Sequence, residues 1–387
     1  MKRGLVILLS ALVALTTAGC RMAGGAGSSV SEPIRAVEPE SAREPEEAHL
    51  SDAAQELETV NHNWIFDSPE NHGVNADMLK ALHQAAAQTE IYSIVTAKDG
   101  VIIDEYYKEG YDAKSVFRLA SCTKSISGAL IGIAIDKGYV SGVDTKLTTY
   151  FPGLAQSGNA YKQEITLAHL LTHTAGFEWY EWGGGKMFGQ FTRSENWVDF
   201  VLNRPMAAKP GTTFNYSTGG SHLLAAVLQQ ATGRTAADFG QEFLFEPLGM
   251  DSVRWSHDPQ GITDGGNGIS MTARDAAKFG QLYLNGGEWQ GRQVVPAWWV
   301  EESVKVQFQR WDHSGSYGYQ WWIRPFGDEN YDTFYAMGHG GQFIFVVPEL
   351  GLVTVITSRF SDTYAPRPYF YDYILAACAP PEKSGQT

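Results

Sequence analysis

The sequence predicts an α+β fold: one antiparallel sheet built from both chain ends and flanked by helices, plus a mostly helical second lobe. Short runs rich in β-branched and aromatic residues stand at 92–107 and again at 319–357, whereas residues 141–310 show mainly helical spacing. Because an isolated hairpin is only marginally stable in water, we expect the early strands to pair with the late ones. A binding site is then expected in the crevice between sheet and helical lobe.

The first twenty residues have the pattern of an export signal. A Lys-Arg pair at 2–3 is followed by a short apolar stretch, Leu5 to Leu15, and by small residues before Cys20. An Ala-Gly-Cys ending is typical of bacterial lipoproteins. It predicts a lipid on Cys20 and an exported, membrane-anchored protein of the cell envelope that faces the periplasm. Thr17 stands where leucine is usual, so plain secretion remains the alternative.

Composition separates a tether from a folded domain. Residues 21–55 are rich in Ala, Gly, Ser, Glu and Pro, so they predict a flexible tether, and residues 56–380 predict one folded domain. The net charge of -14 argues against a nucleic-acid partner and against binding to an anionic membrane surface. Apart from Cys20, only Cys122 and Cys378 are present; we interpret both as small core residues, without metal-ligand spacing.

The elements of the folded part follow from periodicity and turn residues. A helix is predicted near 77–88, followed by a hairpin of strands 92–97 and 101–107 around an Asp-Gly turn. An apolar helix then starts at Ser121 and ends near Lys137. Further helices are predicted at 166–172, 195–202, 221–232, 236–245, 273–284 and 371–377, and strands at 319–323, 333–337, 343–347 and 352–357. The loop 177–185, with aromatics beside glycines, is interpreted as a flap or pocket rim, or else as a surface loop.

Ser121 and Lys124 form the first candidate catalytic pair. Three residues apart at a helix start, their side chains lie on one face and within reach of each other. A serine hydroxyl needs a base to become a nucleophile, and a lysine serves if an apolar surround and neighbouring cations lower its pKa. The helix N-terminus also places the Ser121 N–H where it favours an oxyanion. Such a pair also arises by chance in an ordinary exposed first turn.

Two loops supply candidate partners for Ser121. Tyr216, just before a helix, is suited to pass a proton between Ser121 and a leaving group and to activate water, if nearby cations keep its phenolate accessible; the alternative is a packing role. The segment 338–342 enters a strand, and its glycines, Gly341 among them, indicate a close approach of backbone to substrate. There the N–H of Gln342 is a second candidate oxyanion donor, and His339 is a candidate to polarise the site or bind a carboxylate.

These motifs resemble the penicillin-recognising serine hydrolases. That family carries S-x-x-K, then Y-x-N or S-x-N, then K-T-G or a variant, in this chain order. The sequence has Ser121–Lys124, then Tyr216-Ser217-Thr218, then His339-Gly340-Gly341. Tyrosine in the second motif is similar to the class C β-lactamase branch, which includes esterases, DD-peptidase-like proteins and aminohexanoate-oligomer hydrolases. The stretches 170–176, 209–217 and 316–322 also look like family signatures, so the resemblance spans roughly 65–375.

The resemblance implies a β-lactamase/transpeptidase-like fold and a serine hydrolase that works through an acyl-enzyme without a cofactor. Thr218 replaces the family's Asn, and His339 and Gly340 replace Lys and Thr. These changes weaken recognition of a penicillin carboxylate. The predicted substrate is therefore a carboxylic ester or small amide, with a β-lactam or D-alanyl peptide as the alternative. A non-catalytic cell-envelope binding domain is the alternative from another class. A zinc site at His169 and His173 is disfavoured, because Leu170 stands where the H-E-x-x-H motif has Glu.

Overall fold

A computed structural model describes residues 64–181 and 187–378 of the chain. All of them belong to one unit, residues 56–387. The predicted export signal, the lipidated Cys20, the tether and the glycines of the loop 177–185 lie outside the described residues and stay predictions. Within the described ranges, no helix has the length and apolarity needed to cross a membrane.

The main sheet has seven antiparallel strands and joins the two ends of the chain, as predicted. Its order is β2-β1-β12-β11-β10-β9-β8. The early hairpin pairs with the last strand, with Ile94 opposite Ile356. The strands are β1 (Ile91–Lys98), β2 (Val101–Tyr107), β8 (Ser316–Tyr317), β9 (Trp322–Phe326), β10 (Tyr331–Gly338), β11 (Gln342–Val347) and β12 (Leu352–Ser358). Asp99 and Gly100 both have positive φ, so they form the tight turn whose twist suits a two-residue hairpin.

Eleven α-helices occur among the described residues, mostly in the middle of the chain. They are α1 (Ala76–Ala87), α2 (Thr123–Asp136), α3 (Ala160–Glu164), α4 (Leu167–Leu171), α5 (Met187–Arg193), α6 (Trp197–Leu202), α7 (Thr218–Thr232), α8 (Ala236–Gly240), α9 (Ala273–Leu284), α10 (Ala297–Val304) and α11 (Ala376–Cys378). The bounds of α9 match the prediction. A π-helical turn continues α8 through Gln241–Phe245, and another, Tyr369–Leu375, precedes α11.

Alternation along β11 explains how the sheet is covered on both faces. Phe343, Phe345 and Val347 join the core formed with α1 and the chain end, whereas Ile344 and Val346 join the core formed with α2, α7 and α9. Both sets are fully buried, so after Gln342 this strand is apolar at every position instead of alternating with polar residues. The sheet therefore separates a small helical layer from the predicted helical lobe.

Several elements differ from the prediction for local reasons. Helix α7 begins three residues early, at Thr218, because the Ser217 hydroxyl accepts from the Gly220 N–H and caps it. Strand β9 begins only at Trp322, because Gln320 adopts a φ of 64° that interrupts an extended run. A three-stranded sheet was not predicted; it consists of β3 (Val116–Arg118), β5 (Ile269–Thr272) and β4 (Arg254–Trp255), in that order. The pair β6 (Glu288–Trp289) and β7 (Arg292–Gln293) was also missed.

Helix α2 is enclosed on every side. Its residues from Thr123 to Ala134 are all buried, and it packs against α7 and α10. The contact with α10 is close, because a Cβ at Gly132 would lie 2.2 Å from the Trp299 ring. An apolar helix without a solvent face is what the sequence predicts here. The predicted start at Ser121 is thus a separate short turn, Ala120–Cys122, and α2 itself begins at Thr123, so Ser121 and Lys124 are both held on a rigid base.

Candidate active site

A cavity of about 970 Å³ receives the candidate residues. Its wall comes from the turn before α2, the loop before α7, the β10–β11 turn and the segment after β12. Ser121, Tyr216, His339 and Gln342 all line it. Lys124 is buried directly behind Ser121. The structure thus brings these five predicted residues together at one site.

The turn Ala120–Cys122 presents Ser121. Ala120 has a φ of 47°, a left-handed conformation that costs an alanine on the order of 1 kcal/mol. The Leu119 N–H donates to the Ile269 carbonyl (3.0 Å), and the Thr123 hydroxyl donates to the Ala120 carbonyl (2.6 Å). These bonds hold the strained turn, and α2 begins immediately after it. Lys124 Nζ then lies 3.0 Å from Ser121 Oγ.

Lys124 is poised to exchange a proton near neutral pH. Only 1% of its surface is exposed, and burial lowers the pKa of its amine to about 8. The prediction that neighbouring cations contribute is wrong. The charged neighbours acting on this amine are Glu181 and Asp264, and both raise its pKa against the effect of burial. Burial alone therefore brings the lysine into the range of a general base.

Tyr216 packs tightly beside this pair. Its ring stacks on Trp322 at 5.6 Å, Lys124 Nζ lies 4.8 Å from its centroid, and its hydroxyl shares a hydrogen bond with Ser121. Burial raises the phenol pKa well above its usual range, and the bond to Ser121 offsets only part of that rise. The condition that nearby cations keep the phenolate accessible is therefore not met, because desolvation outweighs them. Tyr216 is a neutral hydroxyl that can donate and accept in turn.

His173, missed as a site residue, holds the loop that carries Tyr216. Its Nδ1 accepts from the Ser217 N–H (3.3 Å), and its Nε2 lies 3.1 Å from the Tyr317 hydroxyl. Burial, with the charges of Lys124 and Arg310, keeps the pKa of this imidazole well below its usual value. His173 is thus a neutral structural residue whose ring lies 4.5 Å from that of Tyr216. It lies in the stretch 170–176, which looks like a family signature.

The β10–β11 turn packs directly on the turn that carries Ser121. A Cβ at Gly338 would lie 2.2 Å from the Leu119 carbonyl oxygen, so only glycine fits there. Cys122 Sγ lies 3.6 Å from the carbonyl oxygen of Gln342, whose side-chain amide donates to the Ser358 carbonyl (2.5 Å). These contacts fix the strand start beside the hydroxyl of Ser121.

The residues within this turn face different ways. His339 is exposed and lines the cavity. Among the described residues the cavity wall includes Gly340 but not Gly341. A Cβ at Gly341 would lie 2.4 Å from Ser358 Oγ and 2.5 Å from Pro366 Cγ. A side chain at this position would thus meet protein atoms, including Ser358, which itself lines the cavity, and the approach of Gly341 to substrate stays a prediction.

Glu181 and Thr218 were not predicted as a pair. The Glu181 carboxylate accepts from the Thr218 N–H (2.9 Å), from the Thr218 hydroxyl (2.5 Å) and from the Trp179 indole N–H (2.5 Å). Thr218 Oγ1 in turn lies 2.9 Å from Lys124 Nζ. Glu181 also lines the cavity, so this end of the loop 177–185 forms part of the pocket rim.

The two histidines with zinc-like spacing make other contacts. His169 Nδ1 accepts from the Thr166 N–H at 3.1 Å and helps to cap α4, while His173 makes the contacts described above. Across residues 64–181 and 187–378 there is no group of three or more His, Cys, Asp or Glu placed to hold a metal ion. Cys122 and Cys378 are both buried thiols, as expected of core residues.

Comparison with known protein families shows to which family this chain belongs. Residues 76–379 match the family described as Beta-lactamase. The chain belongs to the beta-lactamase family. The matched range contains every strand of the seven-stranded sheet, the turns at 120–122 and 338–342 and the helices of the lobe. It confirms the resemblance expected from the motifs.

Several proteins similar to this chain are hydrolases by name. The 6-aminohexanoate-dimer hydrolase of Paenarthrobacter ureafaciens is 25% identical over 308 residues, covering 74% of this chain and 77% of the relative. Esterase EstB of Burkholderia gladioli is 29% identical over 148 residues, covering 35% of this chain and 37% of the relative. The solved structure of EstCE1, a hydrolase with promiscuous acyltransferase activity, matches with a TM-score of 0.66 and 16% identity over 79% of this chain and 98% of the other. The last match shows the shared fold.

Proposed function

We propose that this protein is a serine hydrolase that cleaves a carboxylic ester or a small amide through an acyl-enzyme. The observation that carries the proposal is the contact of Ser121 Oγ with a buried amine, that of Lys124, at 3.0 Å. Its pKa of about 8 leaves a useful neutral fraction near pH 7. Membership of the beta-lactamase family supports a hydrolase, because the similar proteins include an aminohexanoate-dimer hydrolase and an esterase.

In the proposed reaction, Lys124 takes the proton of Ser121 while Oγ bonds to the substrate carbonyl carbon. The carbonyl π electrons move to oxygen, where the N–H groups of Ser121 and Gln342 are the proposed donors. The oxyanion electrons then re-form the carbonyl as the bond from the carbonyl carbon to the leaving group breaks. The Tyr216 hydroxyl donates its proton to the leaving group and receives the proton held on Lys124, so both side chains are neutral again in the acyl-enzyme. Water then repeats the sequence on the acyl-enzyme, frees the acid and returns Ser121 to its starting state.

The cavity favours esters and amides over penicillins. An exposed histidine at 339 and a glycine at 340 replace a permanent positive charge and a hydroxyl at the cavity edge. Thr218 replaces an amide donor, and its hydroxyl is already bonded to Glu181. A penicillin carboxylate and side chain would therefore find fewer partners than in the lactamases. The proposed role of His339 is to bind substrate at the rim.

Intact-mass labelling with a fluorophosphonate tests the proposal. We expect one adduct on the wild type and none on Ser121→Ala, since the hydroxyl is the only group removed. Turnover of p-nitrophenyl acetate is expected to exceed that of a chromogenic cephalosporin. An adduct that survives Ser121→Ala would place the nucleophile elsewhere. A folded protein that takes up neither fluorophosphonate nor penicillin would favour the non-catalytic envelope domain.

A further inference from the structure

Lys124 Nζ has three hydrogen-bond partners at good distances. They are the Gly266 carbonyl oxygen at 2.7 Å, Thr218 Oγ1 at 2.9 Å and Ser121 Oγ at 3.0 Å. A charged ammonium has three donors and satisfies all of them. A neutral amine has only two N–H donors and one lone pair, so one of the three contacts must reverse its direction when the proton leaves.

Two of the three partners cannot donate to Lys124. The Gly266 carbonyl is an acceptor only. Thr218 has a single hydroxyl proton, and that proton is bound to the Glu181 carboxylate, 2.5 Å away. The same carboxylate accepts the Thr218 N–H at 2.9 Å and the Trp179 indole N–H at 2.5 Å, so its position is fixed from two sides. Bonds to a carboxylate are stronger than neutral ones, which keeps the Thr218 proton pointed away from Lys124.

The acceptor at Gly266 is fixed just as firmly. Its N–H donates to Asp264 Oδ1 at 3.1 Å. A Cβ at Gly266 would lie 2.7 Å from Thr218 Cγ2, so glycine allows the loop to approach helix α7. Both acceptors therefore lie on rigid backbone beside the amine.

We infer that Glu181 and Thr218 are positioning residues that aim the lone pair of neutral Lys124 at Ser121. Its two N–H groups are held by Thr218 and Gly266, so the lone pair is left facing the serine hydroxyl. The proton of Ser121 then passes to Lys124 Nζ as the bond from Oγ to the carbonyl carbon forms. This inference rests on the proposed function and specifies how its base is oriented.

The hydrogen bond between Thr218 and Glu181 also accounts for the threonine that replaces the family's asparagine at position 218. An asparagine at position 218 carries a donor and an acceptor in one amide. A threonine hydroxyl is ambiguous, because it can donate to Lys124 as readily as accept from it. The Glu181 carboxylate removes that ambiguity. Its charge also raises the pKa of Lys124, which limits the lowering caused by burial.

The test measures the second-order rate of fluorophosphonate labelling between pH 6 and 10. Thr218→Val keeps the side-chain shape and removes the oxygen, and we expect labelling to slow about 10- to 100-fold, the loss of one hydrogen bond to a charged group. Thr218→Ser keeps the oxygen and should restore the rate. Thr232→Val is the matched control on the same helix, because the Thr232 hydroxyl makes its hydrogen bonds with backbone groups of Leu228 and Arg234, away from the site.

Glu181→Gln supplies an independent test. Its amide can donate to Thr218 and release the hydroxyl proton toward Lys124, so the plateau rate should fall. Loss of the negative charge also lowers the pKa of the lysine, so the acid limb of the pH profile should move to lower pH. A purely structural role would leave that limb in place.

The outcomes separate this inference from the proposed function. Labelling that persists in Ser121→Ala overturns the hydrolase proposal itself. If Ser121→Ala is silent but Glu181→Gln keeps the wild-type plateau and acid limb, the positioning role is wrong and the hydrolase stands. Should Thr218→Val fail to fold, the result with Glu181→Gln, whose side chain is partly exposed, decides alone.

Discussion

Helices α2 and α9 each bury a lysine at the same spacing from a polar partner, yet the two lysines have different surroundings. Lys124 follows Ser121 by three residues, and Lys278 follows Asp275 by three. Both amines are almost fully buried, both donate to a backbone carbonyl, and burial lowers the pKa of both. The difference lies in the partner: a neutral hydroxyl beside Lys124, a carboxylate 3.5 Å from Lys278.

The location of negative charge therefore distinguishes a base from a structural ion pair. The Asp275 carboxylate also accepts from the Ser252 hydroxyl (2.5 Å), and its backbone N–H donates to the Thr272 hydroxyl that caps α9, so its negative charge is held beside Lys278. Glu181, the carboxylate that acts most strongly on Lys124, is linked to it through the hydroxyl of Thr218. One hydroxyl group of separation leaves the amine able to lose its proton.

The largest effect is expected from Lys124→Met. Removing the general base should slow fluorophosphonate labelling by about 1000-fold, within the range measured for such groups. Stability in urea should be unchanged or higher, because the substitution removes a buried amine with no directly bonded carboxylate. Labelling within tenfold of wild type would contradict the assigned role of this lysine.

Lys278→Met is expected to lower stability and to leave labelling nearly unchanged. Breaking a buried pair leaves Asp275 without its cation, and the free energy of unfolding should fall by roughly 3 kcal/mol. Labelling below the melting transition should stay within about threefold of wild type, since Lys278 lies outside the cavity wall. A folded variant that had lost activity would show that the two lysines are not separable in function.

The pH dependence sharpens the comparison further. Labelling should rise about tenfold per pH unit below 8 and then level off, because only the neutral amine accepts a proton. The folded-state pKa of Lys124, about 8, lies below the ordinary 10.5. As the pH rises, the folded protein therefore releases this proton before the unfolded protein does, and the free energy of unfolding should increase between pH 8 and 10.5. In that window the free energy of unfolding should rise more steeply with pH for the wild type than for Lys124→Met. Urea titrations at several pH values measure both slopes, and equal slopes would contradict the lowered pKa of Lys124.

The smallest effects concern the glycines that let each helix approach its neighbour. A Cβ at Gly132 of α2 would lie 2.2 Å from the rigid Trp299 ring, whereas at Gly280 of α9 it would meet the Val353 methyl at 2.6 Å. We expect Gly132→Ala to cost about 2 kcal/mol and Gly280→Ala about 1 kcal/mol, as overpacking usually does. Thermal unfolding measures both, and the reverse order would mean that α9 is the more rigidly packed helix.

Much of this protein was determined locally by its sequence. The hairpin turn at 99–100, the bounds of α9 and the pairing of Ser121 with Lys124 depend on neighbours within a few residues, where φ preferences and helical periodicity act. The chain order of the three motifs likewise indicated the family before any geometry was known.

Only the tertiary structure decided what surrounds the pair. Thr218 meets Glu181 from 37 residues away, and Gly266 meets Lys124 from 142 residues away, through loops whose path no local pattern encodes. The inaccessible phenolate of Tyr216 follows from burial, as do the lowered pKa values of both lysines. Desolvation and hydrogen-bond direction depend on what packs around a group, and distant parts of the chain supply that packing.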